Sequence, residues 1–126
     1  MKPRVLVVDD DPLYAEAATA LLTADGRVEV VGRAANGQEA VERALALRPD
    51  VVLMDINMPV LDGIEATRVL SETLASVRVV LVSSATFDSD WGRIREAGAF
   101  ASVAKALPGE AIVEAALAAA AEAVAS

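Results

Sequence analysis

A chain of 126 residues with a formal charge of −8, no cysteine and no histidine has few chemistries open to it. Disulfides, thiolate nucleophiles, zinc sites built on Cys or His and every histidine-based triad are excluded, so any metal must be held through oxygen, as Mg²⁺, Ca²⁺ or Mn²⁺ are. The acidic balance argues against direct nucleic-acid binding, and the length suits one domain, residues 1–126, whose core is Val, Leu, Ile and Ala because aromatics are only 3%.

The start, Met1-Lys2-Pro3-Arg4, runs straight into an apolar stretch and does not read as a signal peptide. No apolar run is long enough to cross a bilayer, and even the Ala-rich tail is broken by Glu114 and Glu122; the expectation is a cytoplasmic protein. Residues 4–8 read as a buried strand that stops at Asp9-Asp10. Asp11-Pro12 then supplies an N-cap with proline at the first helical position, and the helix from Pro12 to Ala24 closes at Asp25-Gly26. Val28 to Ala34 is a second strand, with the poorer alternation of a sheet edge. Asn36-Gly37-Gln38-Glu39 is a capping-box pattern opening a helix to about Leu47, which Pro49-Asp50 breaks.

Val51 to Met54 is a third strand, and it too stops at an acid, Asp55. Asp62-Gly63-Ile64-Glu65 repeats the capping logic and starts a helix to about Leu74, with Asp62 as cap and Gly63 required by tight packing or backbone geometry. Val77 to Val82 is the fourth strand, followed by Ser83-Ser84. Asp88 or Asp90 caps a short helix ending at Ala97-Gly98. Phe100 to Ala104 is the fifth strand and leads to Lys105. The final helix, Pro108 to about Val124, is alanine-rich on all sides and leaves its packing face undefined.

Five mostly apolar strands alternating with five helices predict a parallel, doubly wound sheet covered on both faces. In such sheets the working site lies beyond the carboxyl ends of the strands. Asp9, Asp10, Asp55, Ser83 and Lys105 all fall there, so the pattern predicts their convergence. Carboxylates that close repel one another and need a cation or a proton among them.

Val7-Val8-Asp9-Asp10, Met54-Asp55-Ile56-Asn57-Met58-Pro59 with Asp62-Gly63, Val82-Ser83-Ser84-Ala85, and Ala97-Gly98-Ala99 leading to Lys105 together cover nearly the whole chain. In that order and spacing they resemble the response-regulator receiver domain, the CheY-like module of two-component signalling. The resemblance implies a flavodoxin-like α/β fold with strand order 2-1-3-4-5. It implies Asp55 as phosphoryl acceptor, Asp10 as a direct Mg²⁺ ligand with Asp9 as its partner, and the backbone carbonyl of Asn57 as a further ligand. Ser83 would hydrogen-bond the phosphoryl group, and Lys105 would pair with its oxygens rather than serve as counter-ion to the resting acids. Implied partners are a histidine kinase or phosphotransfer protein; a homodimer is compatible, while nucleic acid and membrane are not expected. The role is regulatory: beyond taking up phosphoryl and slowly losing it, no enzyme activity is implied, and no output domain is seen in the chain.

Two positions depart from the family. Three residues before the lysine, where an aromatic switch residue is usual, stands Ser102; Phe100, two positions earlier, falls by strand alternation on the same face. Lys105 is followed by Ala106 and not by the frequent proline, so no cis-proline is expected there. Trp91 and Phe87 are open to two readings, core or partner surface. Two other functions stay in view. One is a phosphorylation-independent pseudo-receiver that acts as a binding module. The other is an aspartyl-phosphate phosphatase, because Asp9-x-Asp11 after a strand resembles the opening motif of haloacid-dehalogenase-type enzymes.

Overall fold

The computed structural model describes residues 2–84, 91–105 and 108–125. Five strands, β1 (Arg4–Val8), β2 (Glu29–Ala34), β3 (Val51–Asp55), β4 (Arg78–Ser83) and β5 (Ala101–Ala104), alternate with α1 (Pro12–Asp25), α2 (Gly37–Leu47), α3 (Gly63–Thr73), α4 (Trp91–Ala97) and α5 (Glu110–Ala125). The sheet is parallel throughout in the order β2-β1-β3-β4-β5. The order reverses between β1 and β3, so the residues that leave these two strands flank the crevice where doubly wound sheets bind ligands.

The three inner strands β1, β3 and β4 bury both faces, which explains their near-continuous apolar sequences. Leu6, Val8, Val52, Met54, Val79 and Leu81 pack under α2, α3 and α4, beside Ala44, Leu70 and Ile94. Val5, Val7, Leu53, Val80, Val82 and Val103 face α1 and α5, beside Ala18, Leu22 and Ala116. The alanine-rich last helix does have a defined face: Ile112, Val113, Ala116, Ala119 and Ala120 are buried, at the spacing of a helical stripe. Alanine there lets α5 lie close to the sheet.

The poor alternation of β2 has a local cause. Its register against β1 shifts between Val5 and Leu6, which pair with Val30 and Gly32, so Val31 is an extra residue at the sheet edge. A Cβ on Gly32 would lie 2.9 Å from Leu47 Cδ1, so the bulge needs glycine or a moved leucine.

The caps follow the sequence. Asp11 Oδ1 accepts from Leu13 N at 3.0 Å, Asn36 Oδ1 from Glu39 N at 2.9 Å, and Asp62 Oδ1 from Glu65 N at 2.9 Å. Each such cap is worth about 1 kcal/mol. Gly98, at φ 104°, ends α4 in the left-handed conformation. Ala85, Phe87, Asp88, Asp90, Ala106 and Leu107, and with them the expected α4 cap and the Lys105–Ala106 peptide bond, lie outside the described residues. Trp91 opens α4 and is 39% exposed, nearer the surface reading than the core one.

Candidate functional site: an acidic cluster at the carboxyl end of the sheet

The β1 backbone delivers the first acid. Past Val8, Asp9 N still donates to Ala34 O of β2 at 3.1 Å, which holds the residue in line with the sheet and turns its side chain into the crevice. Asp9 Oδ1 accepts from Asp11 N at 2.8 Å, folding the chain into the start of α1. Asp55 is the last residue of β3, paired with Val82 of β4, and Asn57 N donates to its Oδ1 at 3.4 Å. Asp9 and Asp55 are buried at 4% and 5% exposure, while Asp10 is exposed.

One carboxylate oxygen from each of Asp9, Asp10 and Asp55 lies within 4.8 Å of the others. Two oxygens on opposite sides of a Mg²⁺ ion at 2.0–2.1 Å are about 4.2 Å apart, so the spacing suits one such ion. The donor set is all oxygen and hard. Asp9 Oδ2 is fully buried and among the described residues has no hydrogen-bond partner beyond its ion pair with the Lys105 ammonium, 2.9 Å away. A buried carboxylate oxygen without a proper donor is the kind of group that a divalent cation satisfies. The residues therefore fit Mg²⁺.

Lys105 enters from the other side. Its N–H donates to Ser83 O at 2.7 Å, extending the β4–β5 ladder by one residue and fixing where its side chain starts. The ammonium sits 2.9 Å from Asp9 Oδ2 and 3.6 Å from Asp55 Oδ2, so the structure corrects the expectation that it is not a counter-ion of the resting acids. Two buried carboxylates with few donors draw the nearest flexible cation to themselves. Its Nζ also lies 4.3 Å from the centre of the Tyr14 ring on α1, within cation–π range.

These contacts set the proton affinities. Burial raises the pKa of Asp55, and the charge of Asp9 adds to the rise; Lys105 and the Asn57 N–H pull it back without cancelling it. Burial alone would lower the Lys105 ammonium, but pairing with Asp9 and the charge of Asp55 outweigh it and hold its pKa above the usual lysine value. For the Tyr14 phenol burial dominates and raises the pKa, with Lys105 opposing and the two acids adding.

Ser83, the last residue of β4, is buried at 8% exposure, whereas Ser84 is exposed. Asn57 is exposed beside Asp55. Asp11 caps α1 and stands outside the cluster, which removes the Asp-x-Asp pair on which a phosphatase reading rests. Ser102 pairs with Leu81, whose side chain lies under α2, α3 and α4. Phe100 packs instead with the α1/α5 cluster, so the expectation that it shares the face of Ser102 is corrected. β5 starts only at Ala101, and strand alternation does not govern the residue before it.

Gly63 is the tight-packing glycine: a Cβ there would fall 2.2 Å from the carbonyl oxygen of Asp55, and Gly63 N donates to Ile56 O at 2.8 Å. The start of α3 is thus pressed against the backbone at the end of β3. Sequence reasoning passed over Tyr14. The available signal was its place four residues before Ala18 and eight before Leu22, in line with the buried stripe of α1 and one turn beyond the acid pair.

The family description "Response regulator receiver domain" matches residues 5–117. The chain belongs to that family. The receiver fold, five parallel strands in the order 2-1-3-4-5 with five helices, is the one described above. The chain is similar to the signal receiver domain of the response regulator NarL from Mycobacterium tuberculosis, at 34% identity and a TM-score of 0.91, over 95% of this chain and 97% of that one. It is also similar to CheY in a CheX–CheY–BeF₃–Mg²⁺ complex from Borrelia burgdorferi, at 26% identity and a TM-score of 0.84, over 91% of this chain and 87% of that one. Among curated relatives it is 46% identical over 88 residues to protein-glutamate methylesterase/protein-glutamine glutaminase 1 of Pseudomonas aeruginosa. That match covers 70% of this chain and only 24% of the relative. Among the described residues no helix is long and apolar enough to cross a membrane.

Proposed function

We propose that residues 1–126 form one receiver unit that works as a phosphorylatable switch, with Asp55 as acceptor and a histidine kinase or phosphotransfer protein as donor. The observation that carries the reading is the meeting of three carboxylate oxygens within 4.8 Å, with Lys105 Nζ 3.6 Å from Asp55, in a chain of the receiver family. The relative solved with beryllofluoride and Mg²⁺ supports it.

An Asp55 carboxylate oxygen attacks the donor phosphorus; the P–N or P–O bond to the donor breaks, the donor leaves with the electron pair, and an acyl phosphate remains. Mg²⁺, held by Asp9, Asp10, Asp55 and the Asn57 carbonyl, would neutralise the repulsion between carboxylate and phosphate. Lys105 exchanges its pairing with Asp9 for the new phosphoryl oxygens, to which it offers a point charge. The Ser83 hydroxyl, at the end of β4, donates to another of them. New charge and new acceptors at the ends of β3, β4 and β5 then bias the α4–β5–α5 face, where a partner or an output domain is controlled. The role is regulatory, with slow hydrolysis of the acyl phosphate returning the resting form.

Intact-mass measurement after incubation with acetyl phosphate and Mg²⁺ tests the assignment. One added phosphoryl group is expected in the wild type and none in Asp55→Asn. Equal labelling of the variant overturns Asp55 as acceptor. A wild type that takes no phosphoryl, and whose α4–β5–α5 resonances ignore beryllofluoride with Mg²⁺, returns the chain to the binding-module reading.

A further inference from the structure

Among the described residues the Lys105 ammonium lies against three groups, and only two of them are acids. The third is the face of Tyr14, the single tyrosine of the chain, at 4.3 Å. We infer that Tyr14 is a positioning residue, whose ring holds the Lys105 side chain on the Asp9–Asp55 edge of the site and ties that lysine to α1.

The surroundings explain why a wall is needed. Lysine has a flexible four-carbon stem and no fixed fork, so its head goes wherever packing allows. Beside it lies a cavity of about 200 Å³ lined by Tyr14, Ala17, Leu21, Ala104, Gly109 and Ile112. Most of these residues are small or apolar and offer an ammonium no counter-charge. The Tyr14 ring lines that space, as Lys105 does, and presents its electron-rich face to the cation. At Gly109 a Cβ would lie 2.6 Å from Leu21 Cδ1, so that wall is tightly fitted.

Tyr14 also occupies an informative place in the fold. Ser102, at the position where an aromatic was expected, lies on the opposite face of the sheet from α1. Among the described aromatics, Tyr14 is the one recorded against a site side chain, and it belongs to the α1 side. Any movement of Lys105 toward a phosphoryl group is therefore felt first by α1.

The geometric part does not depend on the proposed phosphorylation of Asp55; the kinetic part does, and the two are read separately. The chain has two lysines, Lys2 and Lys105, so lysine-selective ¹³C labelling gives two side-chain signals. The Lys105 Hε protons are expected upfield of those of Lys2 in the wild type and in Tyr14→Phe, through the ring current. In Tyr14→Leu, which fills similar space without a π face, they are expected to move to the Lys2 position. Acetyl phosphate labelling at saturating Mg²⁺ is expected to slow roughly 3- to 10-fold in Tyr14→Leu, the range of a partly exposed cation–π contact, and to recover in Tyr14→Phe. Lys105 signals that are the same in wild type and Tyr14→Leu overturn the inference. So does slowing that Phe fails to rescue, since the hydroxyl or the fold would then be responsible. A wild type that takes no phosphoryl sinks the proposed function, and the lysine shifts still decide the role of Tyr14.

Discussion

The two ends of the sheet both carry charged side chains, and they use them in opposite ways. At the amino ends, Arg4 Nη1 donates to Leu47 O at 2.6 Å and to Arg48 O at 3.1 Å, the last carbonyls of α2. Arg4 N donates to Asp50 Oδ2 at 2.8 Å, Asp50 N to Arg4 O at 2.9 Å, and Arg78 N to Asp50 O at 3.0 Å. The group closes on itself: it staples β1, β3, β4 and the end of α2, and it leaves no acid pressed against another. At the carboxyl ends, Asp9 and Asp55 share a single lysine, Asp9 Oδ2 is buried with no other partner among the described residues, and Asp55 is pushed toward protonation. Satisfied charges fasten the sheet, whereas crowded ones store the free energy that a cation or a phosphoryl group can release.

The largest effect expected from that contrast is a difference in sign. Asp50→Ala strands the Arg4 N–H and one side of the staple, and should cost about 1–3 kcal/mol in chemical denaturation while acetyl phosphate labelling persists. Asp55→Asn removes one of the crowded charges, and should stabilise the metal-free protein by on the order of 1 kcal/mol while abolishing labelling. If both variants lose stability in EDTA, the carboxyl end is a staple like the amino end, and the contrast fails.

A second effect separates the ends by pH. The folded pKa of Asp55 lies above its unfolded value of 3.8, so its contribution is fully present below that pH and is lost as pH rises through the folded value. Lys105 is likewise raised, above 10.5, so what it contributes is kept until the pH passes that value and is lost through its higher folded pKa. In metal-free buffer the stability of the wild type minus that of Asp55→Asn should therefore fall as pH rises above about 4. Added Mg²⁺ should reverse that fall, by mass action on the ionised site. A pH-independent difference in thermal unfolding contradicts the raised Asp55.

The amino end was poorly legible in the sequence and the carboxyl end well legible, for a physical reason. Strands that stop at Asp9 and Asp55, caps at Asp11, Asn36 and Asp62, and the glycine after Ala97 are local signals, and local signals survive in a single sequence. The five-strand order was read from alternation plus the receiver motifs. Arg4, Leu47 and Asp50 meet across more than forty residues, and nothing in their neighbours announces it. Tyr14 was missed for the same reason, since its meaning depends on where a lysine 91 positions later comes to rest. Phe100 was misplaced because alternation was extended one residue beyond the strand. The counter-ion role of Lys105 was missed because the site was pictured only with a phosphoryl group in it.

The smallest effect concerns backbone strain, which is also unequal between the ends. Among the described residues each end has one non-glycine residue at positive φ: Arg48 at 49° near the amino ends and Val60 at 71° in the loop after Asp55. Arg48 caps α2, its N–H donating to Ala44 O at 2.8 Å, and its unbranched side chain tolerates the left-handed region. Val60 is β-branched and 75% exposed, and it is the middle of a turn closed by Leu61 N to Pro59 O at 2.8 Å. A branched Cβ is poorly suited to that conformation, so strain sits in the loop after Asp55 with no burial to offset it. Asparagine accepts positive φ more readily and has little packing to lose here. Val60→Asn should raise stability by about 0.5–1 kcal/mol, and Arg48→Asn by less, in parallel thermal melts. An equal gain at both positions would mean that branching at Val60 is tolerated and that the strain is not concentrated at the working end.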